Sequence, residues 1–163
     1  MFSPTLILIA RAIHILSGVY WAGSIFVVAG TLLPAMRNPG AGPVLGPVMK
    51  SLGMRIGIAA LLTILAGLYL MAALHPHDNS PSSIVLGVGA AAAILAFLVA
   101  LFVSMPSGRK LAGLLAAKDL AADEKNRQMA VLQGRVALAA RLMAGLLGIT
   151  VLCMAVFRYA GLL

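Results

Sequence analysis

Four runs of mostly apolar residues, at about 6–33, 54–74, 83–105 and 136–162, dominate this chain. A membrane-spanning helix needs roughly 20 such residues. Inside a bilayer every backbone polar group must be paired within the structure, which leaves helices or closed barrels. Runs of this length predict an all-α, integral membrane four-helix bundle, with 1–163 as a single four-span domain. Composition agrees, at 62% hydrophobic, 10% charged and a mean hydropathy of +1.06. Soluble domains carry about 25% charged residues. A water-soluble enzyme, a disordered tail and a secreted disulfide scaffold are thereby excluded. The single Cys153 excludes an internal disulfide and a cysteine-based zinc site. The chain shows no internal repeat.

Prolines follow the runs at Pro34, Pro76 and Pro106 and predict helix stops there. No Lys or Arg precedes the first run, which is also too long for a signal peptide, so it reads as a retained span. Loop one, 34–53, holds Arg37 and Lys50, with Arg55 just inside the second span. Its many glycines and prolines predict an irregular segment. Loop two, 75–82, has no Lys or Arg. Loop three, 106–135, carries Arg109, Lys110, Lys118, Lys125, Arg127 and Arg135. Eight basic residues in loops one and three against none in loop two place those loops in the cytoplasm. Both termini then lie on the outer, periplasmic side. The net charge of +8 is thus a topological label and predicts no nucleic-acid partner. Loop three also reads as a cytoplasmic amphipathic helix over about 107–134, with Leu111, Leu114, Leu115 and Leu120 on its apolar side. Such a surface suits the interface, a cytoplasmic partner or anionic lipid. Small residues at Gly53/Gly57, Thr63/Gly67 and Ala144/Gly148 read as close-packing positions.

Ionisable groups inside a span are costly and usually functional. Arg55 and Arg141 lie near the cytoplasmic ends, from which they snorkel to water. Arg11, His14, Gly18 and Trp21 follow i, i+3, i+7, i+10 spacing and mark one stripe of the first span. Toward the same outer side the sequence offers Tyr69, Met71 and His75, then His77 and Asp78, and also Cys153, Met154, Arg158 and Tyr159. Two chemistries use such a set. Haem takes a neutral imidazole as axial ligand, here His14, with His75 or His77 as a second. Trp21 would wall the pocket, and Arg11 and Arg158 would pair with propionates. Copper takes thioether, thiolate and imidazole donors, here His14, Met71, His75, His77, Cys153 and Met154. The plainer alternatives are a histidine that only bridges two helices, solvated loop histidines and methionines that only fill gaps. All four acids lie in loops, so paired intramembrane carboxylates for proton-coupled transport are lacking.

The segment His14-Ile-Leu-Ser-Gly-Val-Tyr-Trp21-Ala-Gly23 resembles the first span of a broad group of bacterial four-helix membrane proteins. The group includes copper resistance D-like proteins and quinone-linked membrane protoporphyrinogen oxidases. Met54-Arg55, Thr63…Gly67-Leu-Tyr69 and Arg141…Met154…Arg158-Tyr159 echo it more weakly. The resemblance implies that His14 matches a haem b ligand. The oxidase members also carry a lysine near the start of the third span, where this chain reads Pro81-Ser-Ser-Ile-Val. Protoporphyrinogen oxidation is therefore not expected. The resulting expectation is a haem b protein of the bacterial inner membrane, a possible membrane oxidoreductase moving electrons between quinol and a periplasmic partner. Copper handling, and a non-catalytic accessory subunit of a homo-oligomer or larger membrane complex, are the alternatives.

Overall fold

The computed structural model describes residues 3–36, 41–75, 80–116 and 121–160, with backbone alone for 41–46 and 115–116. The described residues are almost entirely helical, in the order α1 (Pro4–Val27), a π-turn (Val28–Leu32), α2 (Leu33–Ala35), α3 (Ala41–Leu74), α4 (Pro81–Val99), a second π-turn (Ala100–Ser104), α5 (Met105–Ala116) and α6 (Ala122–Val156). Four helical stretches are long and apolar enough to cross a membrane: Pro4–Ala35, Pro47–Leu74, Pro81–Leu114 and Ala122–Val156. The chain is an integral, multi-pass membrane protein. Its outer surface shows why: Leu16, Val19 and Phe102 are each about 70% exposed. Such a girdle would aggregate in water and is the natural contact of lipid tails.

The first span ends as predicted, one residue past Pro34 at Ala35, and the second ends at Leu74 before Pro76. Pro106 is not a stop: helix continues through it into α5. Proline lacks an N–H, and its ring collides with the carbonyl four residues back. A π-turn relieves both problems by adding one residue to the turn before the ring. Leu33 N–H thus bonds Val28 O, and Met105 N–H bonds Ala100 O, each five residues back. Loop one is likewise more regular than predicted, because α3 begins at Ala41 and runs through Pro47. The amphipathic segment is two helices, not one. Here α5 extends span three, and the first turns of α6 pack back against it. Leu111 and Leu114 are half-buried in that hairpin. The side chains of Leu115, Lys118 and Leu120, like Arg37, lie outside the described residues.

The bundle is two hairpins. Packing is extensive between α1 and α3, and between α4 and α6, while α3 and α4 touch only slightly. The hairpins meet where α1 and its π-turn press on α6. The core there is mostly alanine: Ala22, Ala59, Ala60, Ala93, Ala96 and Ala140, filled by Trp21, Ile25, Met143 and Leu147. Small residues let backbones approach, which is how helices gain contact when lipid is as apolar as their side chains. Gly53 and Gly57 do not serve this purpose, since an added Cβ on either would meet nothing within 4 Å. The close approaches are at Gly67 and Gly89.

The second hairpin repeats the plan of the first, although the sequence shows no repeat. Val28 and Ala100, which open the π-turns, are 72 residues apart, as are Pro34 and Pro106. Thr63 contacts Ser17, and Thr150 bonds the carbonyl of Gly89. Ser17 and Gly89 are again 72 apart, while Thr63 and Thr150 are 87 apart. Each threonine also bonds back to the carbonyl four residues earlier, Ala59 or Leu146. The second hairpin is therefore 15 residues longer between its helices (87 − 72), the region that contains α5. Trp21 has Ala93 as its counterpart under the same shift.

Candidate functional site: an oriented imidazole between α1 and α3

The site lies in the half of the first hairpin nearer the chain termini. His14, Ser17 and Gly18 are at i, i+3 and i+4 on α1, which turns them to one side. They meet Thr63 and Gly67, which are four apart on α3. The His14 ring lies over the backbone of Gly67. An added Cβ at Gly67 would stand 2.8 Å from His14 Cε1 and 3.0 Å from Nδ1. Only glycine leaves room for the imidazole there. Gly18 fits more loosely, with its nearest neighbour, Thr63 Cγ2, 3.4 Å from an added Cβ.

His14 Nδ1 is 2.8 Å from the carbonyl oxygen of Thr63. A carbonyl can only accept, so Nδ1 carries the proton. In the neutral ring Nε2 then holds the lone pair. The geometry fixes both the tautomer and the orientation of the imidazole. An Nδ1–H bonded to a backbone carbonyl is the arrangement that prepares a histidine for metal ligation through Nε2. The carbonyl comes from a helix interior and has two lone pairs, so it serves the ring without giving up its helical bond.

The hydroxyls beside it form a second layer. Thr63 Oγ1 donates to Ala59 O at 2.7 Å, and Ser17 Oγ donates to Ile13 O at 2.6 Å. The two oxygens are 2.9 Å apart. Two hydroxyl protons thus serve three short contacts, and the Thr63–Ser17 contact shares a proton with one of the back-bonds. This node ties α1 to α3 directly below the imidazole.

The second hairpin shows what the position is like without polar groups. Under the repeat, His14 corresponds to Leu86 and Gly67 to Met154. The bundle plan therefore does not itself demand an imidazole or a bare backbone at this level. The pair His14–Gly67 is a departure from the repeat.

The other predicted residues are distributed unequally. Arg11, one turn outward from His14, is exposed. Trp21, two turns inward, is 1% exposed and belongs to the alanine core, not to a wall beside the imidazole. Met71 and His75 continue the α3 stripe one and two turns beyond Gly67, and both are half-buried. His75 N–H bonds Met71 O at 3.0 Å, so the last turn stays helical. Gly67 and His75 are eight residues apart, about 12 Å along the axis. Cys153 is half-buried with its Cβ against Gly89, and Met154 is half-buried next to it. Arg158 is exposed just beyond the end of α6. His77 and Asp78 lie outside the described residues. Among the described residues, no three His, Cys, Asp or Glu side chains gather as a metal site. Sequence reasoning misses Thr63 and Gly67 as the partners of His14, and Ser17 as the partner of Thr63. The available signal is a serine three residues after the span histidine and a Thr-x-x-x-Gly pair on the next span.

Fold and site together define a four-span membrane protein that holds one oriented imidazole between the helices of its first hairpin. No family model matches the chain, and neither the curated proteins nor the solved structures yield a match.

Proposed function

We propose that this protein binds haem b in the membrane and takes part in electron transfer, with His14 as an axial ligand. The observation that carries this reading is the Nδ1–H bond to the Thr63 carbonyl, which leaves Nε2 as the free donor. An axial ligand needs one correctly oriented imidazole, which suits a site that does not cluster several metal-binding side chains. Bound haem would supply one-electron chemistry within the low-dielectric bilayer.

The chain's own residues do the positioning. Gly67 lets the ring lie flat on α3, and the Thr63–Ser17 node holds the two helices at that spacing. Arg11 and Arg158, both exposed toward the termini, are available for propionates or a charged partner. The 12 Å between Gly67 and His75 leads the proposal to rest on His14 alone. On this reading the basic end faces the cytoplasm of a bacterial inner membrane, and quinol is the natural electron donor.

Copper handling has one observation in its favour, the placement of Met71 and His75 on the same α3 stripe, four residues apart. The experiment that separates the readings is purification after expression with added haem, followed by an absorption spectrum and metal analysis. The haem reading predicts a Soret band that is lost in His14→Ala and retained in His75→Ala. Bound copper without a Soret band would replace it with the second reading. A folded protein with neither, co-purifying with a stable partner, would point to an accessory subunit.

A further inference from the structure

At the basic end of the bundle, α5 and α6 enclose a groove of about 510 Å³. Lys110 and Leu114 line it from α5, four residues apart on one face. Arg127, Val131 and Arg135 line it from α6 at the same spacing, with Leu132 beside them. Each wall thus alternates cation and apolar side chain. Leu132 is 8% exposed and forms the floor, and Leu114 is half-buried. Among the described residues no carboxylate lines the groove. Glu124 stands beside it, with Oε2 4.0 Å from Arg127 Nη1 and Oε1 accepting from Gln128 at 2.7 Å. Lys110, Arg127 and Arg135 line the groove itself, whereas Asp123 and Glu124 stand in the first turn of α6 and are not among its lining residues, so the lining is electropositive.

Its level in the molecule says what meets it. From Val136 to Val156 α6 has 21 residues, about 31 Å of helix. That matches a hydrocarbon core of about 30 Å. With Val136–Val156 as the part that crosses the apolar layer, Arg135 falls at its boundary, at the depth of phospholipid phosphates. The groove opens outward from there, between a helix that extends span three and one that becomes span four. Val131 is 53% exposed and Phe102 and Met105 are exposed nearby in sequence to the α5 wall, so apolar surface adjoins the cations. A basic pocket between spanning helices at headgroup depth is a site for an anionic lipid.

We propose that this groove holds the phosphate headgroup of an anionic phospholipid. Lys110, Arg127 and Arg135 bind the phosphate oxygens, while Leu114, Val131 and Leu132 pack on the glycerol and first methylenes. The lipid then clamps α5 to α6 and fixes the end of spans three and four. This proposal does not depend on the haem reading.

The test is native mass spectrometry and thermal melting of the full chain in detergent micelles doped with phosphatidylglycerol or phosphatidylcholine. Inorganic phosphate and glycerophosphoglycerol form the headgroup-only arms. The wild type is expected to retain phosphatidylglycerol about tenfold better than phosphatidylcholine, and to melt higher with it. The triple variant Lys110→Gln/Arg127→Gln/Arg135→Gln loses that preference. The variant Lys50→Gln/Arg55→Gln, which removes exposed charge from α3 outside the groove, keeps it. If the triple variant does not fold, Arg135→Gln alone is expected to lower the preference at least threefold. Equal retention of the two lipids by wild type would overturn the proposal. So would a preference that survives the triple variant or disappears equally in the Lys50/Arg55 variant. Equal stabilisation by inorganic phosphate would identify a soluble anion and overturn the lipid assignment.

Discussion

Gly67→Ala isolates the feature on which the site depends. In a regular helix, Gly→Ala is favourable by about 1 kcal/mol. At Gly67 the new Cβ would lie 2.8 Å from His14 Cε1, against an ordinary contact of at least 3.4 Å. The imidazole or α1 must move by about 0.6 Å (3.4 − 2.8). Overpacking of this kind costs about 1–3 kcal/mol. The displaced ring also loses its 2.8 Å bond to the Thr63 carbonyl, worth about 0.5–1.5 kcal/mol. After subtracting the helix gain, a net destabilisation of about 0.5–3.5 kcal/mol is expected. Gly57→Ala is the control, because its Cβ would meet nothing within 4 Å. That variant should be neutral or stabilising. Thermal melts of both, in the same detergent, decide the matter on the sign of the difference. If haem occupies the site, its occupancy should also fall about tenfold in Gly67→Ala, the equivalent of 1.4 kcal/mol. Equal stability of the two variants, with equal haem content, would refute the reasoning.

Further substitutions test the surroundings. Thr63→Val removes the hydroxyl but leaves the carbonyl that accepts from His14. It is expected to cost about 1 kcal/mol in melts and to leave the haem spectrum nearly unchanged. Gly89→Ala drives a Cβ to 2.9 Å from Cys153 Cβ. It should destabilise by about 1–3 kcal/mol, and Cys153→Gly, but not Cys153→Ala, should relieve it. Pro106→Ala removes the cause of the π-turn before α5. Relaxation to regular helix would turn α5 by about 100° relative to span three, carrying Lys110 out of the groove. Cysteine cross-linking between positions 110 and 131 would then fall, and unchanged cross-linking would show that the π-turn has another cause.

The four spans were legible because length and hydropathy are properties of the chain in one dimension, and the bilayer imposes them directly. Pro34 and Pro76 mark span ends as local sterics predict, while at Pro106 a π-turn absorbs the same sterics and the helix runs on into α5. Gly53 and Gly57 misled for the converse reason: a small pair permits close approach but does not bring a partner. The repeat is hidden because counterparts such as Trp21 and Ala93 share a position and not a residue type. At the site, His14 stood out as an ionisable group in a span. Its partners did not, because Thr63 is 49 residues away and the register of α1 on α3 follows from the whole hairpin.

The central claim is that His14 offers a free, oriented Nε2 to a haem iron. An absorption spectrum of the purified wild type and of His14→Ala, each expressed with added haem and each verified as folded by circular dichroism, tests it most directly. The account predicts a Soret band in the wild type and its loss in the variant. A colourless wild type, or a band that survives His14→Ala unchanged, would contradict it.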